Sequence, residues 1–336
     1  STSPGTVIKI SKGKEETTNQ HFVFHTSKNG IRAKIYSDPQ KGQKEVRLAS
    51  ILASAKIHPP ILGSIDFIGH DGRPTGTIAL FCVEIASLQN IDTLTGKIYS
   101  KFIRGEFSEK ECLIALQRYA QQAAIALSQL HTMLNKRGIP QDEAEHNFRD
   151  IGKVFALKLK KKEIQKLEIN SNSSKIISWH LDRLLQRSGA AMVHFDVWWR
   201  QFAIDDNGHI YILDLEDSRI AFLGYDVGSW FNSILQQGEY FAKDLPNELK
   251  IRVRSIVKQL SAYLWEEIKS LNLYANMKST EVDLGRFLRS VHELDYLLSH
   301  QPAETWLLNF IKEKSEEILS RLKEKTPGAQ LADLRP

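Results

Sequence analysis

The chain contains 336 residues, of which 42% are apolar, so it can bury a sizeable core in about two domains or in one enzyme fold built from two lobes. No apolar run approaches the roughly 20 residues that a membrane span needs, so we expect no membrane partner. The net charge of +5 and the pI of about 9.0 suit an anionic ligand such as a nucleotide, but this basicity is too weak to indicate nucleic-acid binding.

The first part of the chain consists of short β-rich runs that alternate with turn residues. The runs are TVIKI (6–10), HFVFHT (21–26), GIRAKIY (30–36), ILGSIDFIG (61–69) and TIALFCVEI (77–85). One stretch between them, about 41–55, has the apolar spacing of a helix. We therefore predict a small β-rich N-terminal lobe over 1–86.

Helical patterns dominate after residue 108. Ser108 is a candidate helix N-cap, and apolar residues follow it near a 3.6-residue period to about residue 134. A polar region covers 135–175, and amphipathic helices cover about 245–325. We predict a larger, mainly helical C-terminal lobe over 87–336, and thus an α+β fold of two lobes with a cleft between them.

Two short β segments carry the clearest chemical pattern, within the catalytic segment 190–230. The segment AAMVHF (190–195) precedes Asp196, and the segment HIYILDL (209–215) contains Asp214. The residues Asp205-Asp206-Asn207-Gly208 supply the turn before the second segment. Because acidic groups at the ends of paired segments converge, this spacing is typical of a phosphoryl-transfer site.

The chemistry of such a site needs these residue types. One carboxylate accepts or orients the proton of the acceptor hydroxyl, while a second carboxylate and a side-chain oxygen hold magnesium. Asp196, Asp214 and Gln201 satisfy that requirement. The alternative interpretation is a plain hairpin whose acidic residues stand at its turns.

At these residues the sequence resembles the aminoglycoside phosphotransferase and choline kinase-like family of the protein-kinase-like superfamily. The family pattern HGDxxxxN, then a strand ending IDxED, is matched by HFDVWWRQ (194–201) and LDLED (213–217). The later block LGYDVGSW (223–230) and the helix end ALSQLH (126–131) also match. The resemblance implies a bilobal protein-kinase-like fold.

The resemblance also implies a role for each matching residue. Asp196 is the expected catalytic residue, and Asp214 is the expected metal-binding residue. Gln201 occupies the second metal position, where the family has Asn, so the second metal site is shifted, weakened or lost. His194 and Asp226 are expected to be structural, bracing the catalytic loop.

In the N-terminal lobe, Lys34 resembles the strand lysine that contacts the α- and β-phosphates of the nucleotide, and Glu45 is its candidate ion-pair partner. The alternatives are an exposed strand lysine and an exposed helix glutamate. The backbone near Glu84 and Ala86 stands where the family places its hinge against the adenine. The loop SKGKEETTNQ (11–20) has a single glycine, so it departs from a glycine-rich phosphate loop.

Three residues of the catalytic loop are candidate acceptor-binding residues. Trp198 and Trp199 offer aromatic faces for a sugar-like or aromatic acceptor, and Arg200 offers a guanidinium for an anionic group. For at least one of the tryptophans, packing in the core is an equal alternative.

The predicted function is a phosphotransferase that uses ATP (or GTP) and Mg²⁺ on a hydroxyl of a small molecule such as an antibiotic, a sugar or an amino alcohol. Gln201 and the glycine-poor loop leave open a pseudokinase-like module that binds a nucleotide or a partner. A protein kinase is the third hypothesis, although the chain has no long activation loop after Asp214.

The two cysteines, Cys82 and Cys112, lie in apolar contexts without metal-ligand spacing. The first residues lack the apolar stretch of a signal peptide. Both observations favour a cytoplasmic protein with reduced thiols. The sequence carries no feature that fixes the oligomeric state.

Overall fold

The structure is a computed structural model, and it describes residues 9–12, 20–25, 30–36, 38–68, 70, 72, 74–83, 88–136, 138–161, 164, 172–187, 189–300 and 304–327. The chain divides into two compact units, which we describe separately. Unit 1 comprises Ser1–Leu94, Ile125–Leu134 and Arg200–Ser218, and unit 2 comprises Thr95–Ala124, Asn135–Trp199 and Arg219–Pro336. The lobe boundary after residue 86 stays a prediction.

Unit 1 contains an antiparallel sheet of five strands in the order β1-β2-β3-β5-β4. The strands are β1 (Lys9–Lys12), β2 (Gln20–His25), β3 (Gly30–Tyr36), β4 (Ile61–Ile68) and β5 (Pro74–Val83). Each of the five β-rich runs of the sequence contributes one strand. The central strand β3 places Lys34 opposite His21 of β2 and Ala79 of β5.

Helix α1 (Pro39–Ala53) connects β3 to β4. Its start follows from local chemistry, because the Asp38 side chain caps the N–H of Gln40 at 2.9 Å and Pro39 stands in the first turn. The buried face of the helix includes Glu45, which is only 2% exposed. A carboxylate at such a position requires a polar partner.

A second sheet of unit 1 joins β6 (Gln89–Asn90), β8 (Phe202–Ile204) and β9 (Ile210–Ile212) in that order. The predicted turn between β8 and β9 is present, with Gly208 at a φ of +78°. The Asp205 carboxylate accepts hydrogen bonds from the N–H groups of Asn207 and His209, at 2.9 and 2.8 Å. These bonds fix the turn and therefore the direction of strand β9, which ends two residues before Asp214.

Helices make up most of the rest of the described chain. They are α2 (Ile91–Ile103), α3 (Glu109–Leu134), α4 (Gln141–Leu159), α5 (Asn172–Gln186), α6 (Leu223–Ala242), α7 (Asn247–Ser270), α8 (Ser279–His300) and α9 (Thr305–Glu324). Unit 2 also holds an antiparallel pair of β7 (Ala190–Val193) and β10 (Arg219–Phe222). The predicted α+β class is confirmed. Among the described helices, none has the length and apolar character that a membrane crossing requires.

The core of unit 2 is a continuous apolar cluster drawn from α4, α5, β7, β10, α8 and α9. Helix α6 is buried around much of its circumference, and its tryptophan Trp230 is fully buried. A helix that is apolar on most sides packs in an interior rather than on a surface.

Helices α6 and α8 of unit 2 approach each other closely at three glycines. A β-carbon on Gly228 would lie 2.5 Å from the backbone nitrogen of Arg286 and 2.6 Å from the carbonyl oxygen of Val282. A β-carbon on Gly224 or on Gly285 would also overlap backbone atoms of the facing helix. The two backbones therefore pack at a distance that only glycine permits.

We predict that Gly228→Ala destabilises the protein by about 1–3 kcal/mol or more, because the added methyl group overpacks against backbone that cannot yield. Gly152→Ala in helix α4 is the matched control, since its β-carbon would meet only Leu181 Cδ1, at 3.7 Å. That substitution is expected to leave stability unchanged or to raise it by up to about 1 kcal/mol through helix propensity. Urea denaturation of both variants checks the prediction, and equal midpoints would contradict it.

Candidate functional site

The ammonium group of Lys34 lies among three carboxylates in unit 1. Its Nζ is 2.9 Å from Glu45 Oε2 and 3.1 Å from Glu216 Oε2, and it also donates to Asp214 Oδ1. The hydroxyl of Tyr36 donates to the same Glu45 oxygen at 2.6 Å. The structure thus brings together the predicted residues Lys34, Glu45 and Asp214, and it adds Glu216.

Electrostatics keeps Lys34 charged in this position. Burial works against its positive charge, but the three carboxylates outweigh that effect and raise the pKa of Lys34 above its ordinary value. Burial raises the pKa of Glu216 in spite of the attraction of Lys34, and the negative charge of Asp214 adds to the increase. The group is a coupled ionic cluster and not a single surface ion pair.

Three separate elements deliver these side chains. Lys34 comes from strand β3 and Glu45 from helix α1, while Asp214 follows strand β9. The N–H of Ile212 donates to the carbonyl oxygen of Ile57 at 2.7 Å, and the N–H of Leu213 donates to that of Gln201 at 2.8 Å. These bonds hold the backbone of the two residues that directly precede Asp214.

The backbone at Asp214 has a φ of +66°, in the left-handed region. Aspartate tolerates this region better than most residues because its short polar side chain bonds locally. Non-glycine residues in this conformation occur often at functional sites, where the surrounding contacts enforce them.

The donor set of the cluster fits a magnesium ion. One carboxylate oxygen from each of Glu45, Asp214 and Glu216 lies within 4.8 Å of the others. Hard divalent cations prefer such oxygen ligands, and the three carboxylates exceed the charge of the single ammonium group of Lys34. Gln201 is also adjacent, with its Nε2 3.4 Å from Asp214 Oδ2.

The segment around Asp196 belongs to unit 2, and Asp226 of helix α6 holds it. The two oxygens of the Asp226 carboxylate accept from the N–H groups of His194 and Phe195, at 2.7 and 2.8 Å. The N–H of Asp196 donates to Nδ1 of His194 at 3.3 Å. Both Asp226 and His194 are fully buried. They therefore act on the backbone of the loop.

Phe195 stands where the family pattern has glycine, and its φ is +71°. Its ring stacks on Tyr225 with a centroid distance of 4.2 Å, and the guanidinium of Arg219 lies over it at 4.0 Å. These ring contacts, with the bonds from Asp226, offset the cost of a left-handed conformation in a bulky residue.

The carboxylate of Asp196 has two firm partners within unit 2. Its Oδ1 lies 2.7 Å from Nη1 of Arg289 and accepts a 3.1 Å hydrogen bond from Nε1 of Trp198. The guanidinium of Arg289 also lies over the ring of Trp198, at 4.8 Å. Burial opposes the charge of Arg289, but Asp196 outweighs it and raises the pKa of Arg289. Asp196 is therefore held in one orientation beside a fixed positive charge.

The remaining predicted residues have different surroundings. Trp199 is only 1% exposed and packs edge-on against Trp230, so its ring belongs to the core of unit 2. Arg200 is exposed. Glu84 and Ala86 lie outside the described residues, and so does most of the loop 11–20.

Two residues of the site were not predicted. Glu216 had a signal, because it is the second acidic position of LDLED and follows Asp214 by two residues. Arg289 had none, because it is one of several arginines in a long amphipathic helix, and only folding brings it to Asp196.

A scan against protein-family models found no match, and neither did a search of curated protein sequences. Solved structures do match. A glucosamine kinase in complex with glucosamine, ADP and inorganic phosphate has a TM-score of 0.67 at 15% identity, over 95% of this chain and 82% of that one. Choline kinase LicA from Streptococcus pneumoniae has a TM-score of 0.53 at 11% identity, over 94% of both chains.

An aminoglycoside phosphotransferase from Streptomyces rimosus matches with a TM-score of 0.51 at 13% identity, over 85% of this chain and 92% of that one. The chain has the protein-kinase-like fold of the aminoglycoside phosphotransferases and choline kinases. The predicted fold is confirmed, and the resemblance to these phosphotransferases is a resemblance in fold. At identities this low, the likeness concerns the fold, and the substrate is a separate question.

His292 of helix α8 lies close enough to Asp196 and Arg289 to respond to their charges. Burial, with the positive charges of Arg289 and Lys158, lowers the pKa of His292 to about 4. Its Nδ1 lies 2.8 Å from Nζ of Lys158. The neutral imidazole is therefore the folded form at neutral pH.

Because the folded pKa is depressed below the unfolded value of about 6.5, stability from His292 is present above that pH and is lost as the pH falls towards 4. Between pH 7 and about 4.5 the loss should be about 2–3 kcal/mol. The variant His292→Asn keeps an acceptor for Lys158. Over the same pH range, we expect its free energy of unfolding, measured by urea denaturation, to fall by about 2–3 kcal/mol less than that of the wild type. His146→Asn, in an exposed position of α4, serves as the control. Identical losses in wild type and His292→Asn would contradict the prediction.

Proposed function

We propose that the protein transfers the γ-phosphoryl group of ATP (or GTP) to a hydroxyl of a small molecule. The observation that carries the proposal is the ion-pair cluster of the buried Lys34 with Glu45, Asp214 and Glu216, in a chain that has the fold of small-molecule kinases. Phosphoryl transfer depends on positioning and charge neutralisation, and this cluster supplies a lysine and a set of acidic oxygens for that purpose.

Each residue has a proposed role. Asp196 orients the acceptor hydroxyl and receives its proton as the oxygen attacks the γ-phosphorus. Arg289 is a positioning residue, because its Nη1 holds the Asp196 carboxylate at 2.7 Å. Lys34 binds the α- and β-phosphates, and Glu45 fixes the direction of its side chain. The backbone near Glu84 and Ala86 is proposed to meet the base.

Asp214 and Glu216 would hold Mg²⁺, with Gln201 as the neighbouring amide. A bound Mg²⁺ neutralises the charge of the phosphate oxygens during the transfer. The chain's own contribution is to hold both carboxylates close together, next to the countercharge of Lys34.

A small acceptor is favoured over a protein. Strand β10 begins at Arg219 and helix α6 at Leu223, so only a few residues separate Asp214 from the next packed elements. A long activation segment has no place there. Trp198 is the proposed aromatic contact of the acceptor, and Arg200 is the proposed contact for an anionic group. Trp199 is left out because its ring is buried.

One observation favours a second candidate, a pseudokinase-like module that binds a nucleotide or a partner. Gln201 stands in place of the family's asparagine, and its amide nitrogen faces Asp214. In this orientation the amide nitrogen, which is not a magnesium ligand, is the atom nearest to Asp214. This candidate predicts nucleotide binding without turnover, or no nucleotide binding.

We predict that Asp196→Asn lowers turnover by about a hundredfold to ten thousandfold, because the amide cannot receive a proton. The measurement is ADP release with ATP and Mg²⁺ over a panel of glucosamine, choline and an aminoglycoside, the classes that the matching kinases represent. Asp206→Asn, in the exposed turn before β9, is the matched control. Equal turnover by wild type and Asp196→Asn would remove the catalytic role.

We predict that Mg²⁺ raises the thermal shift produced by ATP, and that Asp214→Asn and Glu216→Gln each abolish this increment. Ligand in hundredfold excess over its Kd stabilises a protein by about 2.7 kcal/mol, a change that thermal denaturation detects. Each shift is measured against the ligand-free form of the same variant, so altered basal stability does not enter. A Mg²⁺-dependent shift that survives both substitutions would exclude this metal site. Absence of any shift in the wild type would favour the pseudokinase-like module.

A further inference from the structure

Unit 2 contains a cavity of about 170 Å³. Its lining includes none of the residues that are discussed above as catalytic or metal-binding. Its walls come from the second half of helix α5, the first turns of α8 and the end of α9. An engineered cavity of about 150 Å³ admits benzene, so this space is large enough for a small organic group or a phosphate.

Four basic side chains surround the cavity: Arg183, Arg187, Lys278 and Lys325. None of them lies within ion-pair distance of a carboxylate in the described part of the chain. Elsewhere in unit 2 many basic residues are paired, as Arg289 is with Asp196. Four unpaired positive charges around one concavity repel each other, and an anion that binds there relieves the repulsion.

Helix α8 adds to the positive potential, because it begins at Ser279, directly after Lys278 of the cavity wall. The first turn of a helix carries the positive end of its dipole, and here the N–H of Glu281 in that turn donates to the carbonyl oxygen of Lys278 at 2.9 Å. Lys325 reaches this helix end, with its Nζ 3.3 Å from Oγ of Ser279. A helix N-terminus beside basic side chains is a common binding arrangement for phosphate.

One acidic side chain, Glu281, also lines the cavity. Burial raises the pKa of Glu281, although a backbone hydrogen bond and the nearby cations act in the opposite direction. A single carboxylate leaves the lining with a surplus of positive charge. The aromatic wall is Trp179, whose ring is covered by the guanidinium of Arg183 at 4.9 Å, so the guanidinium is held in place without an acidic partner.

We propose that this cavity is a binding site for a phosphate-bearing small molecule. Two guanidinium groups offer planar pairs of donors that match phosphate oxygens, and the two lysines with the start of α8 supply additional charge. A concave site of this volume suits a compact group and not an extended polyanion. The site is independent of the proposed phosphoryl transfer, and occupancy there would stabilise the packing of α5, α8 and α9.

The test is isothermal titration calorimetry of the whole chain, without ATP, at constant ionic strength. The probes are inorganic phosphate and glycerol 1-phosphate. The wild type is expected to bind at least one of them with a Kd below about 10 mM. The variant Arg183→Gln/Lys278→Gln is expected to bind at least about tenfold more weakly. Affinity for both probes alike assigns the site to the phosphate group itself, and affinity for glycerol 1-phosphate alone assigns it to an organic phosphate.

The matched control is Lys258→Gln/Lys323→Gln, which removes the same charge from exposed positions of α7 and α9 that do not line the cavity. It should bind as the wild type does. A second pocket variant, Arg187→Gln/Lys278→Gln, leaves the stacking of Arg183 on Trp179 intact and should also bind weakly. Equal weakening in control and pocket variants, or no heat of binding in the wild type, would overturn the proposal.

Discussion

The burial of the Lys34 ammonium group is the constraint on which unit 1 depends. A buried charge is tolerated only when it is paired and hydrogen-bonded, and Lys34 obtains its pairing from Glu45, Asp214 and Glu216. Those partners come from helix α1 and from the stretch after β9, so the ionic cluster ties the five-stranded sheet to both. The same arrangement leaves an excess of carboxylate oxygen, which makes the cluster suitable for a divalent cation.

Unit 2 also contains a buried charge that is satisfied by hydrogen bonds, in this case from the backbone. Asp226 is buried, and it satisfies its charge by accepting the N–H groups of His194 and Phe195. Charge-assisted bonds of this kind hold Phe195 in a left-handed conformation. They thereby fix the position of the Asp196 backbone, which follows directly. Arg289 then fixes the Asp196 carboxylate. The side chain proposed to act on the acceptor is thus held from its backbone and from its tip.

The departures from the family pattern acquire physical explanations in the structure. Phe195 replaces a glycine at a positive φ, and its ring contacts with Tyr225 and Arg219 offset the strain. Gln201 replaces an asparagine, and its longer side chain reaches Asp214 directly. At both positions the contacts within this chain accommodate the larger side chain.

The sequence by itself determined the features that depend on neighbours along the chain. The strand runs, the start of α1 at Asp38 and Pro39, and the turn at Asp205–Gly208 follow from local preferences for side-chain alternation, capping and positive φ. It also indicated Glu45, 11 positions from Lys34, as a candidate ion-pair partner, and the fold decided that the two side chains meet.

Tertiary structure alone decided the contacts between distant positions. Lys34 contacts Asp214, which is 180 positions away in the sequence. Arg289 contacts Asp196, although the residue spacing of its helix does not distinguish this arginine from the others. The same holds for Trp199, whose neighbour Trp198 contacts Asp196 while its own ring enters the core. Periodicity gives the face of an element on which a residue lies, but only packing decides which element covers that face.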